Sequence, residues 1–140
     1  MPENSSAPVQ TVVVGYLPSP EGLAALAHAE QWATSFGARL VVVNTGKNGD
    51  YSHPSFAPAQ EMDAIDVQLS EKGLSHVVEQ PTDGQPPAEA ILDAVTRHSA
   101  DLLVIGVRRR SPVGKILTGS TAQQLLLDAP CPVLAVKSDA

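Results

Sequence analysis

A single cysteine, Cys131, stands in 140 residues, so no internal disulfide can form. It lies between Pro130 and Pro132 just ahead of an apolar run, where a small buried side chain is the expected role. No stretch of about 18 apolar residues occurs, which excludes a membrane-spanning helix. The N-terminus has neither the basic start nor the apolar run of a secretory signal, so a cytoplasmic location is expected. Positive charge is scarce. Nine Lys and Arg against fifteen Asp and Glu leave a net charge of −6, which argues against nucleic acid or an anionic membrane as partner.

Several catalytic patterns are missing as well. Gly106 and Gly114 are too far apart for a P-loop, and Ile116 follows Lys115 where Ser or Thr is needed. No Gly-x-Gly-x-x-Gly follows the first apolar run, so the dinucleotide fingerprint is absent. His28, His53, His76 and His98 are scattered, without a second ligand at metal-binding spacing. His98, near a helix end, reads as a favourable C-terminal charge. Ser111 and Ser120 lack a histidine–carboxylate pattern, which argues against serine hydrolysis. Glu61, Asp63 and Asp66 have the charge for a metal, but acidic residues early in a helix more simply face solvent.

What is present alternates regularly. The first ten residues are polar and read as a disordered tail, leaving 11–140 as one domain. Thr11 to Tyr16 is a β-branched run of strand length. Ser19, Pro20 and Glu21 open a helix that runs to Phe36 and stops at Gly37. Its expected core positions are Leu23, Leu26, Ala27, Ala33 and Phe36, with Trp32 partly buried. Arg39 to Thr45 is a second strand. Residues 46–58 form a long polar loop, and a helix from Pro58 to Lys72 ends at Gly73. Leu74 to Glu79 reads as a weaker edge strand, and Ala88 to His98 as a helix with Ile91, Leu92 and Val95 inside. Asp101 to Val107 is the fourth strand. Gly119 to Asp128 is a helix with Leu125, Leu126 and Leu127 inside, and Pro132 to Lys137 is the last strand. Strands alternating with helices imply parallel pairing. Strands apolar throughout imply a sheet covered on both faces. The expected fold is α/β, a doubly wound five-stranded parallel sheet. Its ligand crevice lies at the carboxyl ends of strands one and four.

The chain's few cations gather at that crevice. Four of the nine fall between Arg108 and Lys115, just before the helix opening at Gly119-Ser120-Thr121. A helix start carries unpaired N–H groups and the positive end of a dipole. Two readings follow. One is a phosphate cradle built from Gly119, the hydroxyls of Ser120 and Thr121, and the charge of Arg108 to Arg110. The other is a solvated basic turn ahead of a Gly-Ser cap.

At these residues the chain resembles the universal stress protein family, from Thr11 to Lys137. The family pattern is a strand ending in Gly, two residues, a second Gly, nine residues, then Gly-Ser or Gly-Thr. Gly106 matches the first glycine and Gly119-Ser120 the final pair. The segment from Asp128 to Val136 is similar to that family's last helix and strand. The resemblance implies strand order 3-2-1-4-5 in an adenine nucleotide alpha hydrolase-like fold. It also implies a pocket for ATP or another adenine nucleotide, with Mg²⁺ a further expectation. The residues implied are Thr45, Gly106, Arg108, Arg109, Gly119, Ser120 and Thr121. Two departures matter. Arg109 replaces the second glycine, exchanging backbone freedom for charge-assisted phosphate bonds. Leu17 stands where binding members carry an Asp that contacts the nucleoside, so an apolar surface for the base replaces an acceptor. Tyr16, just before it, has two options, the pocket or the sheet interior.

Two functions remain open on these residues. One is a stress-response regulator that binds an adenine nucleotide as a signal. No residue is an obvious base to activate water, so catalysis would be at most slow ATP hydrolysis. The other, suggested by Leu17 and Arg109, is a dimeric interaction protein without a nucleotide. Both include a homodimer through Val133, Leu134 and Val136 of the last strand. An apolar edge invites pairing, and the resemblance implies a two-fold dimer there.

Overall fold

Branched apolar runs become strands and the capped segments between them become helices. The computed structural model describes residues 9–45, 56–108 and 119–138. The expectations for most of the N-terminal tail, for the loop 46–55, and for Arg109 and the rest of the basic loop lie outside the described residues. The chain runs β1 (Thr11–Gly15), α1 (Pro20–Phe36), β2 (Arg39–Val43), α2 (Ala59–Glu71), β3 (His76–Glu79), α3 (Pro87–Arg97), β4 (Leu102–Val107), α4 (Ser120–Asp128) and β5 (Val133–Lys137). The five strands form one sheet in the order β3-β2-β1-β4-β5, and every neighbouring pair is parallel. The five parallel strands are those expected from the alternation, and their order is the one that the resemblance implied.

Side chains leave each strand on alternate faces. Val12, Val14, Leu40, Val42 and Val104 pack under α1 and α2. Val13, Val41, Val43, Leu103 and Ile105 pack under α3 and α4. Both faces are covered, which explains why the central strands carry almost no polar residue. β1 and β4 lie side by side at the centre. Gly15 stands level with Val43 on one side and Ile105 on the other, so the strand ends form a common edge.

α1 opens as anticipated. Ser19 is its N-cap, and its hydroxyl accepts from the Gly22 amide at 3.1 Å. Gly37 closes it in the left-handed conformation, φ 65°. Its buried face, however, is Gly22, Ala25, Leu26, Ala29, Glu30 and Ala33. Leu23, 56% exposed, Ala27 and Phe36 lie outside that face, contrary to expectation. The physical reason is close approach. A glycine inside a helix costs about 1 kcal/mol relative to alanine. Yet a Cβ on Gly22 would lie 1.8 Å from the carbonyl oxygen of Leu17, so packing overrides propensity. Trp32 is more exposed than a packing residue should be, and stacks on Phe36 with ring centroids 5.5 Å apart.

α4 departs in the same way. Only Leu125 is buried, while Leu126 is exposed and Leu127 is 84% exposed. A helix resting on one sheet face buries a stripe, and three consecutive residues span too wide an arc to share it. β3 begins two residues later than expected and does form an edge of the sheet.

Several polar residues have partners that local sequence did not suggest. Glu61 accepts a hydrogen bond from the Tyr16 hydroxyl, and Asp66 meets His76 at 2.7 Å, so neither simply faces solvent. Buried Glu30 pairs with Lys72 and accepts from Gln68 at 3.1 Å. His98 links elements as well as ending a helix. Its Nδ1 accepts from the Arg39 guanidinium at 2.8 Å, which leaves Nε2 to donate to Glu79 at 2.7 Å. Cys131 is half-buried, and burial first, then the charge of Asp101, pushes its thiol pKa up.

Candidate functional site

The sheet's carboxyl edge opens into a cavity of about 270 Å³. Its base is formed by the strand ends at Gly15, Val43 and Ile105. Pro87 and Ile91 of α3 and Leu125 of α4 form an apolar wall, and Leu17 adds another apolar surface where the chain leaves β1. Glu21 and Gly22 at the start of α1, Thr45 beyond β2, and Arg108 beyond β4 complete the rim. A polar mouth on an apolar interior is the usual composition of a small-molecule site.

The start of α4 supplies the mouth's donors. Gly119 is the N-cap, in an extended conformation at φ −68° and ψ 163°, and being glycine offers no capping side chain. The first intrahelical bond of α4 runs from the Gln123 amide to the Gly119 carbonyl at 3.1 Å. The amides of Ser120, Thr121 and Ala122 precede that bond, so the helix itself has no acceptor for them. Gly119, Thr121 and Ala122 line the cavity. Among the described residues, a Cβ added at Gly119 would meet nothing within 4 Å, so their packing does not demand glycine there.

The expected site residues divide accordingly. The fold brings Thr45, Gly106, Arg108, Gly119 and Thr121 together around the cavity. Ser120 is exposed on the first turn of α4 and is not among the lining residues. Arg109 lies outside the described residues. Gly106 has a packing role that spacing did not reveal. A Cβ there would sit 2.2 Å from the Glu21 carbonyl oxygen, so glycine lets the first turn of α1 rest on β4. Tyr16 turns its ring into the core beneath α1 and α2. Burial first, and then the Glu61 carboxylate, raise its phenol pKa far above the usual range.

The apolar walls were missed as site residues. Ile91, Ile105 and Leu125 were legible as core, but nothing local distinguished core from pocket. Glu21 was read only as a helix start. Asn44 was also overlooked, because its complete burial is set by contacts between segments distant in sequence. Among the described residues, no three His, Cys, Asp or Glu gather as a metal site.

Of the edge residues expected to pair, Val136 is buried within the single chain at 6% exposure. Val133 and Leu134 are half-buried against opposite layers of the core. β5 is the terminal strand on its side of the sheet.

Comparison with known proteins sets this geometry in context. The sequence model of the Universal stress protein family matches residues 8–137. A universal stress protein of Mycolicibacterium smegmatis is 41% identical over 126 residues, covering 90% of this chain and 96% of that protein. The solved universal stress protein of Archaeoglobus fulgidus superposes with a TM-score of 0.74 at 27% identity, covering 92% of this chain and 98% of that one. A universal stress protein solved in complex with cAMP superposes with a TM-score of 0.68 at 24% identity, covering 94% and 99%. The shared architecture is the adenine nucleotide alpha hydrolase-like fold.

Proposed function

Because the chain belongs to the universal stress protein family, we propose that this stress-response protein binds an adenine nucleotide, ATP foremost, in the cavity beside β1 and β4. The observation that carries the proposal is the pairing of two surfaces. One is an apolar recess floored by Val43 and Ile105 and walled by Ile91, Leu125 and Leu17. The other is the start of α4, whose first amides lack helical acceptors and adjoin Arg108. A flat base suits the first and phosphate oxygens suit the second. Its volume of about 270 Å³ lies just under the range of roughly 300–1,000 Å³ for small-molecule sites, so base and ribose occupy it while the phosphates extend along the rim. The structural neighbour in complex with cAMP supports an adenine nucleotide as the class of ligand. Mg²⁺ enters, on this reading, with the phosphates. The nucleotide serves as a signal rather than as a consumed substrate.

Gly119→Asp tests this reading. Aspartate is a favoured N-cap, so its carboxylate would take the α4 amides and leave stability equal or a few tenths of a kcal/mol higher. The same carboxylate would repel phosphate. Nucleotide affinity should fall by about 100-fold or more, the scale of lost charge-assisted bonds plus repulsion. Equilibrium dialysis with ATP, ADP and AMP, with and without Mg²⁺, reads the result. Retained ATP affinity in a folded Gly119→Asp protein would remove this site.

Leu17 favours a second reading. It is 37% exposed at the rim, where an apolar side chain offers no acceptor to a ribose. On that reading the basic loop recognises an acidic partner surface and no nucleotide binds. The wild-type dialysis decides between the two. Either reading includes a homodimer across the β5 edge, and light scattering tests it.

A further inference from the structure

Asn44 is completely buried at the carboxyl end of β2, outside the cavity, yet it ties together the backbone segments that form one side of it. Its Nδ2 donates to the Tyr16 carbonyl at 2.9 Å. Its Oδ1 accepts from the Ala57 amide at 2.9 Å and from Gln80 Nε2 at 2.9 Å. Gln80 Nε2 also donates to the Ala57 carbonyl at 2.9 Å, and the Asn44 amide donates to the Glu79 carbonyl at 3.0 Å. One amide side chain therefore braces the end of β1, the approach to α2 and the end of β3. The two residues next to its anchors, Leu17 after Tyr16 and Thr45 after Asn44 itself, both line the cavity.

The brace sets where Leu17 stands. The Tyr16 amide already donates to the Val43 carbonyl at 2.8 Å, so with Asn44 on its carbonyl the backbone of Tyr16 is held from both sides. Beyond it, the Leu17 carbonyl accepts from the Ser19 amide at 2.8 Å, and Gly22 packs against the Leu17 backbone. Leu17 is thus fixed between α1 and the Asn44 amide. A buried amide is harder to accommodate than an apolar side chain unless it is fully bonded. Its presence where Val or Leu would continue the strand indicates that geometry at this point is under specific control. We infer that Asn44 is a positioning residue for the base and ribose side of the nucleotide site, acting through the backbone of Tyr16 and Thr45 without touching the ligand. This inference rests on the nucleotide reading above.

Asn44→Asp provides a test that loss of stability alone does not imitate. With the new carboxyl ionised, an acceptor faces the Tyr16 carbonyl, and the brace opens at β1. With it protonated, the O–H can donate to Tyr16 while the other oxygen accepts from Ala57 and Gln80, as the amide does. Burial favours the neutral form, so the recovery falls within an accessible pH range. Among the described residues, the titratable groups at the joined strands are engaged elsewhere, Tyr16 with Glu61, Arg39 with His98, His76 with Asp66, and Glu79 with Arg97 and His98. Binding of ATP and AMP is measured by titration on the full chain at pH 8 and pH 5.5, as the ratio of variant to wild-type Kd. At pH 8 the ratio should rise roughly tenfold for both ligands alike, the scale of one misplaced buried polar contact. At pH 5.5 it should return towards one. In contrast, Gly119→Asp should weaken ATP more than AMP at either pH.

A ratio near one at pH 8, or an equal deficit at both pH values, overturns the inference and leaves the nucleotide reading intact. A wild type that binds neither ligand overturns both. If Asn44→Asp does not fold at pH 8, Gln80→Met serves instead. It removes the outer donor to Asn44 and Ala57, and should weaken ATP and AMP equally at both pH values. Unchanged affinity in that variant overturns the inference.

Discussion

Replacing Gly106 by alanine adds one methyl group at the point where α1 rests on β4. The new Cβ would lie 2.2 Å from the Glu21 carbonyl oxygen and 2.6 Å from its carbonyl carbon. Both are backbone atoms in the first turn of α1, so no rotamer change relieves the contact. The turn is also held in place, by the Ser19 cap on Gly22 and by Gly22 against Leu17. Restoring an ordinary contact requires the start of α1 to retreat by roughly 1 Å. Overpacking of this kind costs about 1–3 kcal/mol. For a chain of 140 residues that lowers Tm by roughly 3–12 °C. On the nucleotide-binding proposal, ligand affinity follows the same displacement, because Glu21 and Gly22 line the cavity. Nucleotide affinity should fall although α4 is untouched. Thermal unfolding by circular dichroism and titration with ATP measure the two effects. Gly119→Ser is the control, since a Cβ there meets nothing among the described residues and serine is a good cap, so its Tm should equal or exceed that of the wild type. A Gly106→Ala protein with wild-type Tm would refute the assignment of this glycine to close packing.

Three further predictions separate assembly and charge from packing. Leu134→Lys places a charge on the half-buried edge of β5 and should yield monomers by light scattering, with unchanged mass counting against that interface. Val136→Lys should instead lose the fold, because Val136 is buried in its own protomer and an unpaired buried ammonium costs about 3 kcal/mol or more. Glu79 gives a pH dependence. Its carboxyl pKa is held below the ordinary value, chiefly by the Arg97 hydrogen bond and further by His98, against the opposing effect of burial. The folded protein therefore releases this proton more readily than the unfolded chain. Its stabilising effect is present above the ordinary carboxylate pKa and is lost as pH falls through the lowered one. Wild type should exceed Glu79→Gln in stability at neutral pH by about 1 kcal/mol or less, the scale of a partly exposed ion pair. The difference should close on acidification, and one that persists at low pH would contradict the pairing.

Architecture was legible in the sequence because it depends on periodicity. Runs such as Val12-Val13-Val14 and Leu40-Val41-Val42-Val43 mark strands covered on both faces, while Ser19-Pro20 and Gly37 mark the helix between them. The gathering of Gly119 and Thr121 with Arg108 was legible too, since α4 is the element that follows β4 in the chain. Distances between backbones were not legible, and they decided the rest. α1 lies so close to β1 and β4 that Gly22 and Gly106 became packing residues and Leu23 and Phe36 were left outside. Local hydrophobicity therefore found Leu26 and Ala33 but misplaced Leu23, Ala27 and Phe36 on its buried face. The pocket surface joins residues distant in sequence, Leu17, Val43, Ile91 and Leu125, and of these four only Leu17 stood out in its own segment. Asn44 acquires its meaning only when the ends of three strands meet. A chain encodes its elements through short-range pattern, whereas the shape of a site arises from long-range contacts that no local pattern records.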